Sequence, residues 1–367
     1  MKNRPAFTPL LELLPAVVPF VGPSALERRR GRRFRLRLGA NESVFGISPR
    51  ARRAMQESLD LVGWYGDPES YELRSELAKV HAVEMENIVV GSGIDDLLGL
   101  VVRSFVTHGA AVVTTLGAYP TFNYHVNGYG GELHQVPYRE GYNDLQALAD
   151  AAGRVKARLV YLANPDNPTG TWYGAGELRA FIGRLPPRCL LVLDEAYVEF
   201  APRDAVLPMD AADPHVIRLR TFSKAHGMAG ARIGYAVTDA ETISAFEKIR
   251  LHFGVNLVAQ AGALASLRDE DFVRDVVRAV EQGRRDYALL ARSQGLSSLP
   301  SATNFVAIDM GSAEGARAMV SALAERDVFV RQPGAPPVDR YIRVTVGTPD
   351  ERTLFAEIFR QALASSR

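Results

Sequence analysis

Between residues 70 and 240 the chain repeats one pattern, a stretch with helical spacing followed by a short apolar run ending on Gly, Asn or Asp. Leu73 to Val80 has helical spacing, Ile88-Val89-Val90 is strand-like, and Asp95 to Val106 is helical again. Further short runs lie at Ala111 to Thr115, Arg158 to Leu162, Leu190 to Leu193, Val216 to Leu219 and Ile233 to Val237. A strand covered on both faces has no wet side, so it reads as a continuous apolar run. Such runs separated by helices predict an α/β domain around a mostly parallel sheet. Ligands of these sheets gather outside the carboxyl ends of the strands, and the polar residues of interest fall at those ends.

From about residue 245 the texture changes. Thr242 to Arg250, Val258 to Leu267 and Val273 to Leu290 have helical spacing. After Gly295, strand-like runs at Asn304 to Ile308, Val328 to Val330 and Tyr341 to Val346 surround a helix from Ala313 to Ala324. A chain of 367 residues also exceeds what one small core organises. The expected division is an arm over 1–39, a large domain over 40–245, and a smaller α+β domain over 246–367 that packs with the arm.

Composition excludes several function classes. The net charge of +1 offers no field for nucleic acid or an anionic membrane. Arginines 28, 29, 30, 32, 33, 35 and 37 do cluster, but the alternation Phe34-Arg35-Leu36-Arg37-Leu38 reads as a strand with one wet face, and stacking aromatics are missing. The apolar stretch from Pro9 to Val21 is broken by Pro9, Pro15, Pro19 and Glu12, and no run approaches the roughly 20 apolar residues of a membrane span. The lone cysteine, Cys189, sits in an apolar run and forms no disulfide framework, and the seven histidines show no metal-ligand spacing. A soluble, cytoplasmic chain without a metal is expected.

Five motifs carry candidate chemistry. In Thr221-Phe222-Ser223-Lys224-Ala225-His226-Gly227 a lysine follows an apolar strand and precedes a glycine. Burial disfavours its charged form, and a neutral lysine attacks carbonyls to form an imine. Ser223 and Arg232 could hold an anionic group beside it. Asp194-Glu195-Ala196-Tyr197 ends the run from Leu190; Asp194 either faces the crevice, where a carboxylate keeps a pyridine nitrogen protonated, or caps the next element.

Asn164-Pro165-Asp166-Asn167-Pro168-Thr169-Gly170 is a rigid turn able to fix the amide of Asn167. Gly91-Ser92-Gly93-Ile94-Asp95-Asp96 joins a strand to a helix, where free N–H groups bind phosphate. As a dinucleotide fingerprint it fails, because Asp96 stands where the third glycine is required. In Tyr119-Pro120-Thr121-Phe122, Phe122 either stacks on a planar ring or belongs to the core.

In this order and spacing the motifs resemble the fold-type I pyridoxal 5′-phosphate (PLP) enzymes, and within them the histidinol-phosphate aminotransferase group. The similarity runs from about Leu38 to Asp350, and its most specific pieces are NPDNPTG, DEAYVEF, TFSKAHGMAGARIGY and YIRVTVGT. The resemblance implies that Lys224 binds PLP covalently and carries the proton at Cα, that Asp194 pairs with the pyridine nitrogen, and that Tyr197 and Asn167 bond the phenolic oxygen. It implies that the phosphate rests on Gly93, Ile94 and Asp95 with Ser223 and Arg232, and that Phe122 stacks on the ring. Tyr65, in Trp64-Tyr65-Gly66-Asp67, matches a tyrosine that reaches the cofactor phosphate of a neighbouring subunit, which implies a homodimer. Arg343 matches the clamp for the substrate α-carboxylate and Arg331 a contact to its distal phosphate, with Asn304 and Ala40-Asn41-Glu42 bordering the same pocket.

There are departures. The group has a tyrosine near the end of the arm, where this chain has Phe20 without a hydroxyl, and a tyrosine two residues after the lysine, where this chain has His226. His226 tunes proton transfer or, the favoured reading, acts as a spacer. The expected reaction is ping-pong transamination with a 2-oxo acid acceptor. Histidinol phosphate is the first candidate donor and an aromatic amino acid the alternative. A decarboxylase of phosphorylated amino acids such as threonine phosphate would use the same scaffold. A regulatory module without catalysis is disfavoured, since the stretch before residue 40 has no room for a DNA-binding domain.

Overall fold

The structure, a computed structural model, describes residues 5–16 and 21–365. The first segments are α1 (Pro9–Leu13), α2 (Pro23–Arg30) and the short strand β1 (Leu36–Arg37); along the stretch from 34 to 38 that contains it, Phe34, Leu36 and Leu38 are buried while Arg35 and Arg37 are exposed. That is the alternation expected of a half-wet strand. Arg30 and Arg32 both pair with Asp327, at 2.6 and 2.9 Å, and Arg30 also donates to the Ala324 carbonyl.

Next come α3 (Pro49–Ser58) and α4 (Tyr71–His81). Ser48 caps α3 by accepting from the Ala51 N–H at 2.9 Å, with Pro49 at the first helical position. The alternating region then delivers β2 (Ile88–Gly91), α5 (Ile94–Phe105), β3 (Ala111–Thr115), α6 (Pro120–Gly128), β4 (Glu132–Val136), α7 (Leu145–Val155), β5 (Leu159–Ala163), α8 (Ala175–Ile182), β6 (Leu190–Asp194), β7 (Val216–Thr221), β8 (Gly234–Val237) and α9 (Ala240–Glu247). The strands form one seven-stranded sheet in the order β2-β8-β7-β6-β5-β3-β4.

Six of these strands point the same way, five of them paired directly with one another, as the pattern predicts. β8 runs antiparallel to both its neighbours, β7 and β2. No α-helix crosses over between β7 and β8, so the chain turns back beside β7, and that returning loop holds Lys224. β4 was not marked by any apolar run: it is an edge strand whose residues are half-buried or exposed, and its sequence Glu-Leu-His-Gln-Val carries little of a buried strand's signal.

Strand alternation sorts the core and the site together. Val192 of β6 packs with Leu98, Phe122 and Tyr161 on one face, while Leu191 and Leu193 pack with Leu148, Leu162 and Phe181 on the other. Asp194 therefore emerges on the Tyr161 face. Glu195 points the other way, into a buried ion pair with Arg218 at 2.5 Å and Arg220 at 2.9 Å.

The remainder consists of α10 (Leu257–Leu267), α11 (Glu270–Ser293), β9 (Phe305–Asp309), α12 (Ala313–Glu325), β10 (Val328–Phe329), β11 (Tyr341–Thr345) and α13 (Pro349–Ser365). β9 and β11 pair antiparallel, while β1 from the N-terminal segment pairs parallel with β10. Leu36 and Leu38 share one core with Val280, Phe305, Ile342 and Phe355. By contrast Ala259, Ala263 and Leu267 of α10 pack with Leu73, Leu77 and Val90. From Phe272 onward the chain packs into the core of Leu36 and Leu38, which Tyr197, Phe200 and Ala225 also enter. α10 keeps its helical spacing but aims its small face at α3, a long-range contact that local spacing does not encode. No helix among the described residues is long and apolar enough to cross a membrane.

Candidate active site

A cavity of about 650 Å³ opens at the carboxyl ends of β3, β5, β6 and β7, and Lys224, Asp194, Tyr197, Asn167 and Arg343 line it together. A second depression of about 510 Å³, between Arg139, Tyr142 and Arg184, holds none of the residues singled out in the sequence.

Lys224 sits on the tight loop after β7. Gly227 makes that loop feasible: its φ is +71°, and a Cβ there would lie 1.8 Å from the Gly46 carbonyl oxygen. The Lys224 Nζ donates to the Asn41 carbonyl at 3.2 Å. Burial, aided by the charges of Arg343 and Arg232, lowers its pKa from 10.5 to about 8. This amine is therefore available as a nucleophile and proton acceptor near physiological pH.

Asp194 is buried at the floor. Its Oδ2 accepts from the Tyr161 hydroxyl at 2.7 Å and its Oδ1 from the Ala196 N–H at 2.9 Å. Burial outweighs both bonds and raises its pKa from 3.8 to about 6. A carboxylate held in that state favours a cationic N–H partner. The Tyr197 hydroxyl accepts from the Asn41 Nδ2 at 2.8 Å, and burial holds its pKa up at about 12, so it remains a proton donor.

The glycine turn after β2 ends on Gly93, whose φ of +85° starts α5. A Cβ at Gly93 would lie 2.5 Å from the Arg232 Nη2, so only glycine lets the guanidinium rest against this backbone. Arg232 approaches the Ser223 hydroxyl at 3.5 Å and the Asp95 carboxylate at 3.3 Å. First-turn N–H groups of a helix have no intrahelical acceptors. With a guanidinium and a hydroxyl beside them, they form an anion cradle.

On the opposite wall, Arg331 and Arg343 face each other across two backbone hydrogen bonds, of 3.3 and 2.6 Å. Arg343 donates through Nη1 to the Asn167 Oδ1 and through Nη2 to the Gly39 carbonyl, and lies over the Phe305 ring. Its Nε is buried without a hydrogen-bond partner, and burial lowers its pKa to about 10. Arg331 donates to the Val21 carbonyl at 2.9 Å, which ties the N-terminal segment to this wall.

Phe122, Asn304 and Tyr65 stand outside the cavity lining. Phe122 is fully buried in the sheet core and stacks on Tyr161 at 4.6 Å, so it lines no part of the cavity; Tyr119, at the start of the same helix, lines it instead. Tyr119 precedes the helix and meets the cavity, whereas Phe122 lies one turn in and faces the sheet. Asn304 is buried behind the cavity and holds the Asn41 and Glu42 carbonyls through its amide. Tyr65 is 81% exposed, its ring tilted at 35° against Phe253. Phe20 lies outside the described residues. His226 bonds the Ser266 hydroxyl at 2.8 Å and packs on Phe222; burial lowers its pKa to about 4, which keeps it neutral. Sequence reasoning missed Tyr119, Asn123 and Gln135 in the cavity wall, and only Tyr119 had a usable signal, the proline that follows it.

The donor set fits PLP: a nucleophilic amine, a buried carboxylate for a ring N–H, a neutral phenol, an anion cradle and an arginine with a spare buried donor. No group of three or more His, Cys, Asp or Glu able to hold a metal occurs among the described residues.

Comparison with known proteins agrees. A family model for aminotransferase class I and II matches residues 35–359. Histidinol-phosphate aminotransferase 2 of Carboxydothermus hydrogenoformans is 36% identical, covering 96% of this chain and 98% of its own length. Its namesake from Pseudomonas fluorescens is 35% identical over 90% of this chain and 89% of its own. Among solved structures, histidinol-phosphate aminotransferase from Sinorhizobium meliloti, in complex with pyridoxal-5′-phosphate, matches with a TM-score of 0.96 at 47% identity, covering all of both chains.

Proposed function

The chain belongs to the class I and II aminotransferases, and from that premise we propose that its amino donor is histidinol phosphate and its acceptor a 2-oxo acid. It is a PLP-dependent enzyme of fold type I. The observation that carries the substrate reading is the arginine pair on one cavity wall, Arg331 beside Arg343. A phosphate ester one methylene beyond Cα and a carboxylate directly on Cα differ in reach, and two adjacent guanidiniums serve both. The names and coverage of the relatives support the same reading.

Bound PLP supplies the electron sink for the bond broken at the donor's Cα. Asp194 accepts the ring N–H and keeps that nitrogen protonated, while Tyr197 and Asn167 direct hydrogen bonds at the phenolic oxygen. Ser223, Arg232 and the backbone from Gly93 to Asp95 hold the phosphate. Lys224 Nζ would hold the cofactor covalently and, once displaced by the donor's amine, would take the proton from Cα and deliver it to the cofactor. Arg343 fixes the anionic end of either substrate so that the Cα–H faces that amine.

The assembly is proposed to be a homodimer in which Tyr65 reaches the neighbour's cofactor phosphate. The exposed apolar cluster of Trp64, Tyr65, Leu251 and Phe253 supports this, because such patches mark association surfaces. A cytoplasmic location is consistent with the single buried cysteine.

The test is a single-turnover titration of the holoenzyme with histidinol phosphate, phenylalanine and threonine phosphate in turn, without acceptor. Histidinol phosphate should discharge the visible cofactor absorbance fastest, and Arg331→Leu should slow that step far more than it slows any phenylalanine response. Discharge by phenylalanine alone would make the chain an aromatic aminotransferase. Carbon dioxide release from threonine phosphate would make it a decarboxylase.

A further inference from the structure

The cavity also holds two polar side chains, Asn123 and Gln135, that have been given no part in holding the cofactor and do not belong to the arginine pair. Asn123 of α6 lies three and four residues beyond Pro120 and Tyr119, which puts the three on one helical face, and all three line the cavity. The Asn123 Oδ1 is shielded from solvent and has no hydrogen-bond partner among the described residues. A shielded amide oxygen without a donor is unfavourable unless a ligand supplies one. Gln135, near the end of β4, lines the same cavity. Around them Leu116, Ala118, Pro333 and Ala335 are apolar. A Cβ on Gly117 would lie 3.0 Å from the Ala335 Cβ, so the loops after β3 and β10 close on each other there.

We propose that Asn123, with Gln135 beside it, determines specificity for the donor's side chain by accepting a hydrogen bond from the ring N–H of a nitrogen heteroaromatic such as imidazole. The inference rests on the reading that histidinol phosphate is the donor. With the amine and the Cα–H directed at the cofactor and Lys224, and the phosphate at Arg331 and Arg343, the ring is the one substituent of Cα left for Asn123 and Gln135. A phenyl ring has no donor to offer and leaves the Asn123 oxygen unpaired. Sites built around a hydrogen bond reject analogues that lack it more strongly than apolar pockets reject a size change.

The experiment measures kcat/KM for histidinol phosphate and for phenylalanine in the wild-type holoenzyme, Asn123→Leu and Asn123→Ala. Both variants should lower the histidinol phosphate value at least about tenfold, mostly through KM, and leave or improve the phenylalanine value. A parallel measurement needs no variant: imidazolylpropyl phosphate should inhibit the wild-type enzyme at least about tenfold more tightly than its N-methylated or phenyl counterpart. Turnover of histidinol phosphate with an unchanged preference in both variants, or equal inhibition by all three ring analogues, overturns the assignment of Asn123 alone. A wild-type enzyme that does not turn over histidinol phosphate overturns the functional reading with it.

Discussion

Replacing Tyr161 with phenylalanine tests how the floor of the site is tuned. The Tyr161 hydroxyl donates to the Asp194 Oδ2 at 2.7 Å, both groups are buried, and the ring stacks on Phe122, so Tyr161→Phe removes one oxygen and little packing. A hydrogen bond to a buried charged group contributes about 1.5–3 kcal/mol. This one stabilises only the carboxylate form, so its loss should raise the Asp194 pKa by about one to two units, starting from about 6.

The consequence is worked through ionisation. Taking the variant's pKa as about 7.5, the carboxylate fraction at pH 6.5 falls from roughly three-quarters to roughly one-tenth, an approximately eightfold loss. A ligand whose ring nitrogen needs that carboxylate should bind about eightfold more weakly at pH 6.5, and equally well near pH 9. Pyridoxamine 5′-phosphate is the suitable probe, because it cannot bond covalently to Lys224 and its own titration cancels in the ratio. Its Kd, followed by fluorescence in both proteins between pH 6 and 9, should show a ratio that collapses as pH rises. A ratio that is flat across this range would refute the claim that Tyr161 acts through the Asp194 charge.

Three further outcomes are expected. The rate at which the cofactor-free chain captures PLP should rise with a midpoint near 8, the lowered pKa of Lys224, because only the neutral amine attacks; a midpoint near 10.5 would mean the lysine is not desolvated. Glu199 is half-buried, with its Oε2 shielded from solvent and unpartnered, and desolvation lifts its pKa from 4.5 to about 7, so its contribution is full below 4.5, is lost as pH rises through 7, and amounts to about 3 kcal/mol. Glu199→Gln should therefore raise Tm at pH 8 relative to wild type, and the gap should close below pH 5; a gap independent of pH would contradict this. Gly227→Ala should cost about 3 kcal/mol or more in denaturant unfolding and abolish cofactor capture, since its Cβ falls on the Gly46 carbonyl; near-wild-type stability would show that the loop can yield.

What could be seen in the sequence was what local chemistry fixes. Buried strands announce themselves as apolar runs, and their ends carry Asp194, Asn167 and Lys224, all of which meet in one cavity. Edge strand β4 escaped because a strand paired on one side needs no apolar run. For Phe122 the sequence leaves direction open: a one-turn difference decides whether an aromatic faces sheet or cavity, and the motif holds aromatics at both positions. Asn304 supports Asn41 from behind, a contact between residues more than 260 positions apart that no local pattern records. The return of β8 and the docking of α10 on α3 depend on contacts distant in sequence, which no local period records.

The pairing of β1 with β10 has a consequence for the order in which the enzyme is made. The core they enter takes Leu36 and Leu38 from near the start of the chain and Phe355 and Phe359 from near its end. On a ribosome, the seven-stranded sheet and Lys224 emerge complete while that core still lacks its final strand and helix. Domains generally fold as units in the order of synthesis. The half that holds the cofactor can therefore mature first. The wall bearing Arg331 and Arg343 closes only when the newborn C-terminus returns to an N-terminal strand that has been waiting for nearly the whole of translation.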